Sequence, residues 1–307
     1  MKELKLNKII ELWKNDKKLY VKKSTYAAYV LIIENHIAPY FGELTDISEE
    51  KVQEFVLEKI KKGLSQKTIK DIIIVLKMIL KFAIKYKYLP YKQIDIKFPS
   101  DLDNKELEVL DKNEYKKIIN YIQENFTFKN FGIYLCLCTG IRIGEVCGLK
   151  WKDFDIEKGI IKIRRTIQRI YVIEGDKRYT KLITDSPKTK NSIRDIPMTT
   201  DLIKTIKSLK KVVSDNFYVI TNEEKPTEPR TYRNYYKRFL KRLGLTDLKF
   251  HGLRHSFATR CIESKCDYKT VSVILGHSNI STTLNLYVHP NLEQKKKCIE
   301  QMFKLLK

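Results

Sequence analysis

Apolar residues in the first part of the chain recur three or four positions apart, the repeat of a helix with one buried face. In LKLNKIIELWKN (4–15) they are Ile9, Ile10, Leu12 and Trp13. A second helix is expected over TYAAYVLIIENHI, with Thr25 as its N-cap and its end before Pro39. EEKVQEFVLEKIK (49–61) puts Val52, Phe55, Val56 and Ile60 on one side, and Gly63 stops it. Ser65 opens a longer helix through KTIKDIIIVLKMILKFAIKY, closed near Leu89 and Pro90. The polar faces of these helices are rich in Lys. From 92 to 110 the repeat fades and Pro99 intervenes, which reads as a linker between domains.

The pattern then changes. Asp111 is placed to cap a helix over KNEYKKIINYIQEN, and residues 131–138 and 142–149 read as further helices. GIIKIRRTIQRIYVI (159–173) alternates and is rich in β-branched residues, a strand signal. SIRDIPM (192–198) reads as its partner, with SPKTKNS as the turn before it. Helices are expected again at 200–213, 228–243, 252–264, 267–275, 280–287 and 292–305. The fold class is therefore mainly α with a small antiparallel β-sheet, in two domains: 1–91 helical, 92–110 linker, 111–307 α+β.

Charge narrows the range of partners. The 307 residues hold 60 Lys and Arg against 37 Asp and Glu, a net +23. The excess is +8 in residues 1–100 and +15 in the remainder, so it is not a detachable tail. Such a surface attracts polyanions, nucleic acid first among them. Lys and Ile are abundant throughout, however, and a compositional bias toward Lys would raise the charge without any partner. The six Cys lack paired CxxC spacing, and Cys136 and Cys138 lie in the apolar run IYLCLC, where a thiol is a small buried hydrophobe. The N-terminus has no continuous apolar stretch of signal-peptide type, and DIIIVLKMILKFAI is too short and too interrupted by Lys to span a bilayer. The expected compartment is the reducing cytoplasm.

Four segments carry candidate chemistry. TGIRIGEVCGLKW (139–151) sets Arg142 after a turn-forming Gly140 at a helix start, where a guanidinium can present a planar fork to phosphate. Glu145 reads as an internal partner for a basic residue or as solvated. SPKTKNSIRDIP (186–197) puts Lys188 on a turn. KFHGLRHSFATR (249–260) spaces His251 and Arg254 three apart on one helical face, with His255 one place beyond. The pair His251 and His255 has metal-ligand spacing, yet Gly252 stands where the zinc-protease motif needs Glu. LGHSNISTTLNLYVHP (275–290) holds His277, then Ser278 or Asn279 as a cap, then Tyr287 near the helix end. Taken singly, each has a plainer reading: a surface Arg, a solvated turn Lys, a packed His, a packing Tyr.

The ordered set Arg142, Lys188, His251, Arg254, His277, Tyr287, with its flanking sequence, resembles the tyrosine recombinase (phage integrase) family over most of residues 108–290. The resemblance implies a tyrosine-recombinase catalytic domain after an N-terminal SAM-like domain that binds the core DNA site. It implies a site-specific recombinase or integrase that cuts and rejoins DNA through a 3′-phosphotyrosine. Tyr287 would be the nucleophile, Arg142 and Arg254 the phosphate clamp, His277 a further phosphate contact, His251 the base and Lys188 the acid. No cofactor and no metal are expected: the sequence offers no GxxxxGK[ST] loop and no acidic cluster for Mg²⁺. The implied partners are double-stranded DNA, a homotetramer on that DNA, and accessory DNA-bending or excision factors, acting at the nucleoid. Lys67, Lys70, Lys77 and Lys81 are the expected phosphate contacts of the long N-terminal helix. The helix 292–305, with Ile299, Met302, Phe303 and Leu306 as an apolar edge, is expected to pack on a neighbouring protomer. Because the chain opens almost at the core-binding helices, a short integrase or a Xer-like layout is expected. Three alternatives stand beside this reading: a Xer-like dimer resolvase, a type IB topoisomerase-like enzyme, and a catalytically silent DNA-binding regulator.

Overall fold

The computed structural model describes residues 4–99, 107–186 and 190–287, with isolated positions beyond 295. It separates into two compact units, Met1–Asn104 with Ile170–Lys181, and Lys105–Arg169 with Leu182–Lys307.

The first unit is helical: α1 (Leu6–Lys18), α2 (Lys23–Ile32), α3 (Ala38–Phe41), α4 (Glu49–Lys61) and α5 (Gln66–Lys85). Their apolar stripes meet in one core that includes Ile9, Trp13, Ile37, Phe41, Phe55, Ile72 and Ile79. Tyr40, Phe41 and Phe55 pack with ring centroids 4.7–5.0 Å apart. Ser48 and Ser65 cap α4 and α5 by accepting from Lys51 N and Thr68 N.

Two expectations shift here. α2 begins at Lys23 after an extended Lys22, with no side-chain cap, so Thr25 lies inside the first turn. Nor does the helix stop before Pro39. A π-helical turn, Ile33–Ile37, inserts between α2 and α3, carries the helical run onward and leaves Pro39 in the first turn of α3. Residues 92–99 hold no helix but are bound to their own unit. Lys92 reaches Asp46, Asp95 N donates to Glu49 (2.7 Å), Lys97 N donates to Gln53 (3.0 Å), and Phe98 packs on the core.

The second unit contains α6 (Lys112–Glu124), α7 (Phe128–Thr139), α8 (Ile143–Gly148), β1 (Phe154–Asp155), β2 (Ile160–Ile163), β3 (Thr166–Glu174), β4 (Lys177–Asp185), β5 (Arg194–Pro197), α9 (Thr200–Leu209), α10 (Pro229–Arg242), α11 (Phe250–Glu263), α12 (Tyr268–Leu275) and α13 (Ser281–Tyr287), although the far part of the β3–β4 hairpin groups with the first unit. Asp111 caps α6 through Asn113 N and Glu114 N, with Glu114 returning to Asp111 N. α7 is apolar almost all round and runs through the core; Trp151 stacks on Phe131 at 6.1 Å and donates from Nε1 to Asn222. Cys136 and Cys147 are buried in this core.

The sheets differ from the sequence reading. The run 159–173 is two strands, broken at Arg164 and Arg165, whose side chains turn to Asp195 and Asp153. β2 lies between β1 and β5, antiparallel to both, with Ile161 opposite Phe154 and Ile196. β3 pairs instead with β4, a strand the pattern does not reveal because KRYTKLITD buries no residue fully. No helix among the described residues is long and apolar enough to cross a membrane. The helix expected over 292–305 falls largely outside the described residues, as does the turn at 187–189.

Gly140 ends α7 in the left-handed conformation (φ 64°), and a Cβ there would stand 2.6 Å from Phe257 and 2.7 Å from Leu275. Gly244 has the same φ of 64° with nothing within 4 Å. Gly140→Ala should therefore destabilise the chain by more than Gly244→Ala, by an extra ~1 kcal/mol or more from the collision. Denaturant midpoints of the two variants measure this, and equal losses would contradict it.

Candidate active site

Two helices that end in left-handed glycines build the site. α7 ends at Gly140, the chain turns, and Arg142 is the extended residue that opens α8. Its backbone N–H donates to Glu145 Oε2 (2.9 Å), its Nη1 to Glu145 Oε1 (2.9 Å) and its Nη2 to the Gly276 carbonyl (3.1 Å). Gly276, in turn, ends α12 at φ 67°. The second guanidinium, Arg254 on α11, is only 2% exposed and donates from Nη1 to the Gly140 carbonyl (3.0 Å). Each guanidinium thus sits at the negative end of a helix, where peptide dipoles favour a cation.

The histidines complete the arrangement. His251 lies one turn before Arg254 on α11, exposed, with its ring edge-on to His255 at 4.6 Å. His277 follows Gly276 and its Nδ1 is 2.8 Å from Thr283 Oγ1, a fully buried hydroxyl on α13. Asn279 Oδ1 accepts from Ser281 N (2.9 Å) and starts α13, which packs on α11 and α12. A groove of about 920 Å³ is lined by Arg142, His251 and His277 together with Arg169, Arg230 and Arg233. An adjoining one of about 650 Å³ is lined by Arg142, His251, Arg254 and Arg233.

Burial and charge set the protonation states. Burial, then the Arg254 and Arg142 guanidiniums, push His277 down to about 4. Burial, then His251 and Arg254, push His255 down to about 4. His251 is lowered by desolvation and by the same two arginines. At neutral pH all three imidazoles are uncharged. Glu145, 3% exposed, is held by both arginines: by Arg142, through its backbone N–H and Nη1, and by Arg194, whose Nη1 and Nη2 each donate at 3.0 Å. Burial raises the Glu145 pKa; hydrogen bonds and charge from Arg194, then the charge of Arg142, outweigh it and keep it an anion below the usual carboxylate value.

Of the six residues singled out in the sequence, Arg142, His251, Arg254 and His277 come together here from α8, α11 and the end of α12. Lys188 lies outside the described residues. Tyr287 is the last residue of α13; its side chain is outside them too. Lys67, Lys70, Lys77 and Lys81 are all exposed on α5, and Lys70 Nζ lies 5.1 Å from the Phe98 ring. Sequence reasoning overlooked Arg194. The signal was its phase: on β5 it shares the inward face with Ile196, and an Arg at a core-facing position needs a buried acid. It also overlooked Arg230 and Arg233 on α10, and Arg169, which forks onto Glu228 at 2.6 and 2.9 Å.

The model of the phage integrase family matches residues 108–294, and that of the phage integrase N-terminal SAM-like domain matches 5–71. The chain belongs to the phage integrase family, the tyrosine recombinases. Among curated relatives of this chain, a "tyrosine recombinase XerC-like" protein of Caldanaerobacter subterraneus subsp. tengcongensis is 33% identical across 92% of this chain and 78% of its own length. The ICEBs1 integrase of Bacillus subtilis is 27% identical across 93% and 79%. Among solved structures, the Tn1549 transposon integrase in complex with transposon right-end DNA superposes with a TM-score of 0.79 over 97% of this chain and 99% of that one, at 23% identity, a likeness of fold.

The lowered histidines make stability depend on pH. Between about 6.5 unfolded and about 4 folded, the unfolded chain binds the extra protons, so stability is complete above the unfolded value and is lost as pH falls through this window. Urea midpoints should drop from pH 7.5 to pH 5, with each imidazole contributing on the order of 1 kcal/mol. His277→Gln should make the slope shallower; an unchanged slope would contradict the assignment.

Proposed function

We propose that this chain cuts and rejoins double-stranded DNA at a specific site through a 3′-phosphotyrosine at Tyr287, acting at the nucleoid in the cytoplasm as a tetramer on DNA. The observation that carries the reading is the convergence of Arg142, His251 and His277 on one groove with Arg254 beside it, from positions far apart in the chain.

The chemistry follows from the charges. The Tyr287 hydroxyl attacks a backbone phosphorus, and the bond to the 5′-oxygen breaks. The pentacoordinate transition state gains negative charge on its non-bridging oxygens, and Arg142 and Arg254 meet it as fixed cations. His277 is neutral, so it has one donor nitrogen. In the tautomer whose Nδ1 accepts from the Thr283 hydroxyl, 2.8 Å away, Nε2 carries the hydrogen and donates to phosphate. His251, also neutral, takes the Tyr287 proton. Lys188 returns a proton to the departing 5′-oxygen. The phosphotyrosine conserves the ester bond, so the 5′-hydroxyl of another strand can reverse the step without ATP.

Lys67, Lys70, Lys77 and Lys81 form a phosphate-tracking stripe on α5, and binding through such contacts weakens steeply with salt. Integration and excision of a phage or mobile element is the biological role we favour, with Xer-like dimer resolution as the alternative; an ICEBs1 integrase and a XerC-like tyrosine recombinase are both similar to this chain.

The test is a nicked suicide duplex made from the DNA flanking the gene. The chain should form a covalent adduct that maps to Tyr287. Tyr287→Phe should abolish the adduct while binding stays within about threefold, and Arg142→Gln or Arg254→Gln should slow it on the order of a hundredfold or more. An adduct that survives Tyr287→Phe would refute the reading. An adduct confined to chromosomal dimer-resolution sites would move the role to resolvase. Binding of the Lys67→Gln, Lys70→Gln, Lys77→Gln, Lys81→Gln variant should show a shallower dependence on salt, and an unchanged slope would remove this stripe from the interface.

A further inference from the structure

Arg194 does not face the groove. Its side chain is 5% exposed, and its whole fork is used inside the protein. Nη1 and Nη2 hold Glu145, Nη1 also donates to the Ser192 carbonyl (3.1 Å), and Nε donates to the Ile274 carbonyl near the end of α12. Its Cδ would lie 3.1 Å from a Cβ at Gly276, the residue whose carbonyl holds Arg142. By contrast, the Arg142 side chain is 34% exposed and lines the groove. Three charged groups therefore share one site: two guanidiniums and a single carboxylate, with a net charge of +1. If Glu145 had Arg142 as its sole partner, the pair would be neutral and Arg142 would bring no net charge to the groove.

We propose, resting on the recombinase reading, that Arg194 is a positioning residue. It occupies the Glu145 carboxylate so that the charge of Arg142 stays open to a phosphate, and it ties the end of α12 beneath Arg142. It touches neither DNA nor the reacting atoms.

The test uses inorganic phosphate as the probe on the full-length chain. Thermal midpoints are titrated at constant ionic strength with chloride replacing phosphate, and Arg142→Gln defines the Arg142-dependent response. Arg194→Gln should weaken that response at least tenfold, to the level of Arg142→Gln. Adding Glu145→Gln to Arg194→Gln should restore it to within about threefold of wild type, because the carboxylate that captures Arg142 is then gone. A purely structural role for Arg194 predicts no rescue. If Arg194→Gln alone does not fold, the double variant decides: a midpoint within threefold of wild type upholds the proposal, and one tenfold weaker overturns it. A wild-type response in Arg194→Gln, or no Arg142-dependent response in the wild type, also overturns it. The suicide duplex separates the two ideas. No covalent adduct from wild type, with the phosphate order as expected, sinks the recombinase reading and leaves Arg194 assigned; an adduct without that order sinks Arg194 alone.

Discussion

One buried carboxylate organises the catalytic unit. Glu145 is 3% exposed, and an anion so placed persists only if cations and hydrogen bonds replace the water it has lost. It receives the Arg142 backbone N–H, one guanidinium N–H from Arg142 and the two-pronged fork of Arg194. Removing one partner from such a cluster typically costs several kcal/mol, because a charge is left without compensation. The geometry of α8, β5 and the end of α12 is therefore fixed by one charge requirement rather than by apolar packing alone.

Around it, two glycines perform the same task twice. Gly140 and Gly276 take positive φ at the ends of α7 and α12, and each turns its carbonyl to a guanidinium. The fold delivers arginines to helix C-termini, where backbone dipoles favour them, and burial, reinforced by the two arginines, keeps the neighbouring imidazoles neutral. A neutral imidazole has one donor and one acceptor nitrogen, so each of these rings can give one hydrogen bond and take another at the same pH.

Much of this was legible in the sequence. Helices with strong apolar stripes and good caps, such as those capped by Ser65 and Asp111, were found close to their observed starts because local signals and burial agree there. The pattern failed where tertiary context decides. Lys22 starts α2 without a capping side chain, and a π turn carries the chain past Pro39. β4 has no fully buried residue and so no alternation to detect. At the site, TGIR, HxxR and LGH marked four residues that meet in space, since turn, helix and charge signals coincide in those motifs. The remote partners did not show: Glu145 was left open between pairing and solvation, and nothing local ties Arg194 to it, 49 residues away.

The central claim is that a single phosphate is met by both guanidiniums and His277, with Tyr287 in line. A crystal structure with a nicked duplex and orthovanadate tests it most directly. The account predicts a trigonal-bipyramidal vanadate esterified to the Tyr287 oxygen, its equatorial oxygens within hydrogen-bond distance of Arg142, Arg254 and His277. Vanadate bound elsewhere, or a Tyr287 hydroxyl remote from both arginines in every protomer of the complex, would contradict it.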